Sequence, residues 1–291
     1  MTLFKAIILG LVQGIAEFLP ISSSGHLAIF RNILNFQTDT GLLFDVMLHF
    51  GTLVAIFVAF HRDIGRMIVE GLGIIADFFY NIGVFFANTV GKSGKRYRKV
   101  LFTSYRRFVM LILVSTIPTG ILGLLLKDIV TVTSTTLLVP GICLIATGMM
   151  LLVADYVDVG MKRANQATYL DAAVVGTAQG VATMPGLSRS GTTIMVGLLC
   201  GFEKTFAVKY SFIMSIPAVL GAVVLELKDF TAISVQPAEI VYYVAGMVIA
   251  AVVGYICIKT MLVIVRGKRF IGFSIYCFVI GIIAIIWNFV R

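Results

Sequence analysis

Six apolar stretches of about 20 residues, the length an α-helix needs to cross the hydrocarbon core, narrow the folds open to this chain. They lie near 42–60, 106–126, 136–156, 206–227, 238–262 and 270–290. The alternating pattern of a membrane β-barrel is absent. Of the 291 residues, 59% are apolar and only 13% charged, too little polar surface for a soluble domain of this length. The sequence therefore predicts an all-α polytopic membrane protein. Cys143, Cys200, Cys257 and Cys277 all fall in apolar runs without CxxC spacing, and read as small buried hydrophobes. The formal net charge of +9 fits topology signals and contact with membrane lipids better than nucleic acid, which we exclude as a partner.

The N-terminal apolar run is interrupted by Gln13, Glu17, Ser22, Ser23, Ser24 and His26. Polar groups at membrane depth are costly and mark interior sites or pathways. The pattern recurs. A shift of 166 positions, with no gap, superposes Gly10 on Gly176, Gln13 on Gln179, Gly14 on Gly180, Ser22 on Ser188, Ser24 on Ser190 and Gly25 on Gly191. The copies differ where chemistry would differ: Glu17 faces Thr183, Ser23 faces Arg189 and His26 faces Thr192. Pro20 and the serine–glycine tract break the first helix, and a second short helix follows over 26–35. Residues 169–201 repeat this design, with the turn at Pro185 to Ser190. Each piece is too short to span alone, so both copies read as re-entrant helical hairpins, allowed at depth where the turn lines a cavity. Three spans follow each hairpin. An odd number inverts the second copy, so the expected fold is an inverted-topology repeat of six transmembrane helices plus two re-entrant hairpins. It forms a single integral membrane domain over 1–291, with repeat 1 about 1–156 and repeat 2 about 169–291.

Residues 67–91 are apolar but hold Glu70, Asp77, Asn81 and Asn88, with basic flanks on both sides: Arg62 and Arg66 before, Lys92 to Arg107 after. Positive charge collects on the cytoplasmic side. Two cytoplasmic flanks predict an interfacial helical excursion, not a seventh span. Lys162, Arg163, Arg266, Lys268 and Arg269 then mark the same side, and both termini fall outside.

Gln13 and Glu17, four apart, share a helix face. A carboxylate and an amide beside a hydroxyl-rich turn suit a hard divalent cation, Mg²⁺ or Ca²⁺; the plainer role is a polar pair in helix packing. In the second turn the hydroxyls of Ser188, Ser190 and Thr193, with free amides at the following helix start, form an anion cradle. Arg189 adds a fork of donors suited to phosphate; it can also pair with Glu17, and the two roles are compatible. Ser22 and Ser24 cap the second short helix or bind phosphate. Ser23 and His26 lie one helical turn apart, and a histidine near a serine acts as base, acid or nucleophile. His49 lies in a span near the site; His61 reads as solvated. The pairs Gly10/Gly14 and Gly176/Gly180 permit close helix packing, and we expect the two hairpins to meet through them.

Gln13-xxx-Glu17 followed by Pro20-Ile-Ser-Ser-Ser-Gly-His26, together with Pro185-Gly-Leu-Ser-Arg-Ser-Gly-Thr-Thr193, resembles the two signatures of the undecaprenyl-diphosphate phosphatases of the bacitracin-resistance type. The resemblance covers the whole chain. It implies removal of the terminal phosphate of undecaprenyl diphosphate, and so recycling of the lipid carrier for peptidoglycan synthesis. It further implies a multi-pass protein of the bacterial inner membrane, often a homodimer, with its site open to the external side. By motif match, Glu17, Ser23, His26, Ser188, Arg189, Ser190 and Thr193 are its functional residues; we expect Glu17, Ser23, His26 and Arg189 to be catalytic, Ser22, Ser24, Ser188, Arg189, Ser190 and Thr193 to hold phosphate, and Glu17, with Gln13, to meet a divalent cation. Ser23, His26 or water can be the nucleophile. The competing class is a lipid-phosphate flippase or secondary transporter, since inverted repeats with broken helices are usual there.

Overall fold

The computed structural model describes residues 2–33, 41–91, 94–157, 160–229, 237–267 and 270–290. The end of the expected second helix (34–35), Lys92, Lys268 and Arg269 lie outside the described residues. Thr2 opens α1 (Leu3–Phe18) as its N-cap, accepting a hydrogen bond from the Lys5 amide. α2 is Ser23–Ile33, α3 Gly41–Ala59, α4 His61–Gly91, α5 Ser104–Leu125, α6 Lys127–Thr133 and α7 Leu138–Tyr156. Then follow α8 Tyr169–Val181, α9 Arg189–Leu199, α10 Lys204–Asp229, α11 Pro237–Ile264 and α12 Ile271–Val290. Thr168 and Asp171 close a reciprocal capping box at the start of α8.

Among the described residues, six helices are long and apolar enough to cross a membrane: 61–91, 104–125, 138–156, 204–225, 239–267 and 271–290. Five match predicted spans. The predicted span 42–60 is the shorter apolar helix 43–59. The sixth long helix is α4, which begins at His61, earlier than the expected 67, because the first basic residues stay helical.

Both helix–turn–helix units form, and their small-residue faces find partners other than each other. α1 lies against α11: a Cβ on Gly10 would sit 2.6 Å from the Gly246 carbonyl oxygen, and one on Gly14 2.9 Å from that of Ala250. α8 lies against α5, where a Cβ on Gly176 would strike the Ser115 carbonyl and one on Gly180 the Leu122 side chain. The expectation that the hairpins meet through these glycines is therefore corrected. A long apolar helix offers each short helix a continuous groove, and close backbone approach is what these residues permit, whoever the partner. Ser115 completes its contact by donating to the Ala172 carbonyl at 2.8 Å. The Gly176→Leu variant is expected to lose about 1–3 kcal/mol, the usual cost of overpacking. A lower thermal midpoint in detergent checks this, beside Gly120→Leu, where nothing lies within 4 Å.

Candidate active site

The hairpins meet through their turns. The turn after α1 places Ser22 in the left-handed region (φ 71°), the sole non-glycine residue there among those described. That conformation reverses the chain, and the Ser22 hydroxyl accepts from the Gly25 amide at 3.2 Å to start α2. In the second turn Gly186 has φ 90°, and a Cβ there would strike the Pro140 carbonyl, so only glycine fits. Ser188 caps α9, accepting from the Gly191 amide at 3.1 Å, while its own amide donates to Thr147 Oγ1 at 3.0 Å. Across the junction, the Gly186 amide donates to Ser24 Oγ at 3.2 Å and Ser190 Oγ to the Leu19 carbonyl at 3.4 Å.

This docking sets Glu17 opposite Arg189. The Glu17 side chain is 4% exposed, and its Oε1 is paired with the Arg189 guanidinium. Its Oε2 accepts from Ser23 Oγ at 2.6 Å and from Gln13 Nε2 at 3.1 Å. The same Gln13 nitrogen donates to His49 Nδ1 at 3.1 Å, which places the His49 proton on Nε2. His49 Nδ1 lies 3.9 Å from Glu17 Oε1. A carboxylate, a guanidinium, a hydroxyl and an imidazole thus converge at the junction of the two turns.

Gln13, Glu17, Ser23 and Arg189 are brought together as the motifs predict. His26 is not brought to Ser23. Its Nδ1 donates to the Ser22 carbonyl at 2.8 Å, and its Nε2 faces the Tyr276 hydroxyl at 2.8 Å, the two rings stacked 5.5 Å apart. Four expected phosphate ligands are buried and engaged in structure: Ser22 and Ser188 at the helix starts they cap, Ser190 across the junction, and Thr193 on the Arg189 carbonyl and Ser211. Ser24 is exposed and Ser23 half-buried, so these two hydroxyls remain open to a ligand. Tyr276 and Thr147 carried no signal in the sequence: they act through contacts with residues far away in the chain, Tyr276 on His26 and Thr147 on Gly186 and Ser188.

Among the described residues, no group of three His, Cys, Asp or Glu residues suits a metal ion. One observation does fit a hard cation. Gln13 Oε1 is a buried acceptor with no hydrogen-bond partner among the described residues, next to a carboxylate and a hydroxyl. Hard cations take such oxygens and complete their shell with water and phosphate.

The fold and this site define a polytopic helical membrane protein holding a buried carboxylate–guanidinium–serine constellation between two hairpin turns. A family model described as bacitracin resistance protein BacA matches residues 6–283, and the chain belongs to that family. Its relatives include proteins named undecaprenyl-diphosphatase. That of Alkaliphilus metalliredigens is 38% identical over 99% of both chains. Those of Methanosphaera stadtmanae, 39% identical over 99% of both chains, and Halothermothrix orenii, 37% identical over 98% of both, are similar in extent.

Proposed function

We propose that this protein hydrolyses undecaprenyl diphosphate to undecaprenyl phosphate and inorganic phosphate, recycling the lipid carrier for cell-wall synthesis and giving bacitracin resistance. One observation carries the chemistry: Ser23 Oγ donates to Glu17 Oε2 at 2.6 Å, beside the Arg189 guanidinium. Glu17 takes the Ser23 proton as Oγ attacks the terminal phosphorus. An Oγ–P bond forms, the bridging P–O bond breaks, and its electron pair leaves on the undecaprenyl phosphate. Glu17 passes that proton to the leaving phosphate oxygen and is a carboxylate again. It then takes a proton from water, whose oxygen attacks the phosphoserine phosphorus, and as the P–Oγ bond breaks Glu17 returns the proton to Ser23 Oγ. Arg189 holds the non-bridging oxygens through its fork of donors, where developing charge is stabilised best. His26, fixed by Ser22 and Tyr276, orients the turn that carries Ser23. Gln13, Glu17 and Ser23 would hold a Mg²⁺ or Ca²⁺ ion, which supplies charge neutralisation at the diphosphate.

The architecture belongs to the same reading: an inverted repeat in the cytoplasmic membrane, its hairpins re-entrant, its site open to the external side. Exchange of partners supports it. α1 on α11 is echoed by α8 on α5, and Gly141 against Gly281 by Gly148 against Ser274. The test is phosphate release from C55 or farnesyl diphosphate by the purified protein, with and without EDTA. Release lost on chelation and regained with Mg²⁺ or Ca²⁺ supports enzyme and cation together. No release from folded protein with lipid and metal supplied returns the transporter class to first place.

A further inference from the structure

We infer that α4 and the basic strap 94–103 form an arm that lies in the plane of the membrane interface and binds anionic phospholipid headgroups. Four observations carry it.

The first is the path of the strap. After α4 the chain turns back and runs along it. Asn88 exchanges two hydrogen bonds with the Lys95 backbone, both 2.9 Å, and Asn81 two with the Arg98 backbone, both 2.8 Å. Arg106 Nη1 then donates to the Val100 carbonyl at 2.7 Å and to Asp77 at 2.6 Å, and its Nε to Glu70 at 2.8 Å. If α4 spanned the bilayer, this irregular strap would cross with it. Non-helical backbone facing lipid leaves amides and carbonyls unsatisfied at several kcal/mol each, and the strap also carries Lys95, Arg96, Arg98 and Lys99. Length and composition permit α4 to span; its partner strand does not.

The second is direction. The helical run is interrupted at Phe60, between the end of α3 at Ala59 and the start of α4 at His61. Side-chain contacts between α4 and α5 run from Asp63 to Asp77 on α4 and from Tyr105 to Val109 on α5. The two helices cross rather than run side by side. A helix that crosses the foot of a spanning helix lies along the membrane surface.

The third is amphipathicity. Away from the Asp77, Asn81 and Asn88 positions that hold the strap, Ile68, Leu72, Ile75, Phe79, Phe86 and Val90 form one exposed stripe at helical spacing. Water does not suit it, and the bilayer is adjacent. An apolar cleft of about 450 Å³, between α4, the strap and α5, has room for part of an acyl chain; Ile74, Phe78, Val100 and Met110 line it.

The fourth is charge. Residues 61–107 hold nine Lys or Arg and three Asp or Glu, so this segment carries six of the nine formal net charges. The acids are all occupied within the protein: Asp63 by Lys209 and Tyr105, Glu70 by Arg106, Asp77 by Arg106 and Arg98. Lys95, Arg96 and Lys99 are exposed, with no carboxylate partner among the described residues. Their complement is an anion from outside, and clusters of this kind beside a bilayer recruit anionic headgroups.

The test uses full-length protein with single tryptophans at Ile68→Trp, Phe79→Trp and Val90→Trp in a Trp287→Phe background. It is reconstituted in phosphatidylcholine vesicles with or without phosphatidylglycerol, with nitroxides at known depths. All three positions are expected at one shallow depth. A spanning α4 would instead spread Ile68 and Val90 over ~33 Å of depth, at 1.5 Å per residue, and would overturn the proposal. So would the absence of quenching, which leaves a protein partner or bare solvent. Nitroxide-labelled phosphatidylglycerol is expected to quench Phe79→Trp more than labelled phosphatidylcholine. Replacing Lys95, Arg96 and Lys99 together by glutamine should cut that preference by about fivefold or more, since each basic residue contributes a factor near five. Quenching by the two lipids that is equal from the start refutes the headgroup part. Depth unchanged in the triple variant shows the arm still folded, and a preference retained there refutes the assignment to these residues.

Discussion

Arg189→Ala is expected to lower the rate of phosphate release by about 10²–10³-fold, the loss that follows removal of one preorganised donor from a charge-developing site. The same substitution should lower stability, for a separable reason. Glu17 is almost wholly buried, and Arg189 is its charged partner. Removing one member of a buried ion pair leaves the other uncompensated, at about 3–5 kcal/mol for a fully buried pair. Because the Arg189 side chain is 23% exposed, the lower part of that range is expected here. Two further variants divide the effects. Arg189→Lys retains the charge but loses the planar fork, so it should hold most of the thermal midpoint while release stays low. Arg189→Ala combined with Glu17→Gln removes both charges, so it should recover stability and no activity. Activity that returns in the double variant would mean that the pair is structural and that phosphate is held elsewhere.

Much of the architecture could be read from the apolar runs and the internal echo. The shift of 166 that superposes the two motifs also carries the start of α1 at Leu3 onto Tyr169 of α8, and Ser23–Ile33 of α2 onto Arg189–Leu199 of α9. A pairing of Glu17 with Arg189 is one of two compatible roles the sequence leaves open for the arginine, and the docked turns bring the two together. What the sequence leaves open is contact between elements. A small-xxx-small pair reports how closely a helix can approach, and says nothing of its partner, so Gly10 and Gly176 settle on α11 and α5. Local spacing misleads at Ser23 and His26. One helical turn suggests contact, yet Ser22 in the left-handed region turns Ser23 back toward Glu17, while the ring of His26 swings to Tyr276, 250 positions away. The length of α4 was hidden too, because its polar residues, which look like interruptions in the sequence, form one face matched to a strap of irregular backbone.

Ser23→Ala is expected to reduce release by about 10²–10⁴-fold with folding intact, since the hydroxyl is half-buried and bonded to one carboxylate oxygen. Tyr276→Phe should cost no more than about tenfold. It removes a single hydrogen bond, worth about 1 kcal/mol, from the ring that orients the turn. The nucleophile is decided by trapping. With substrate labelled on the terminal phosphate and the reaction stopped in acid, the proposed route leaves label on Ser23, because a phosphoserine survives acid and a phosphohistidine does not. Glu17→Gln should lose most of the release, because the amide cannot accept the Ser23 proton while its partners remain in place. Label on His26, trapped under alkaline conditions and lost in His26→Ala, would overturn the serine route and require the imidazole to leave its bonds to Ser22 and Tyr276. Full turnover with no trapped label on either residue would instead make water the nucleophile. Glu17 would then be its base, and Ser23 a hydrogen-bond donor that holds the carboxylate in place.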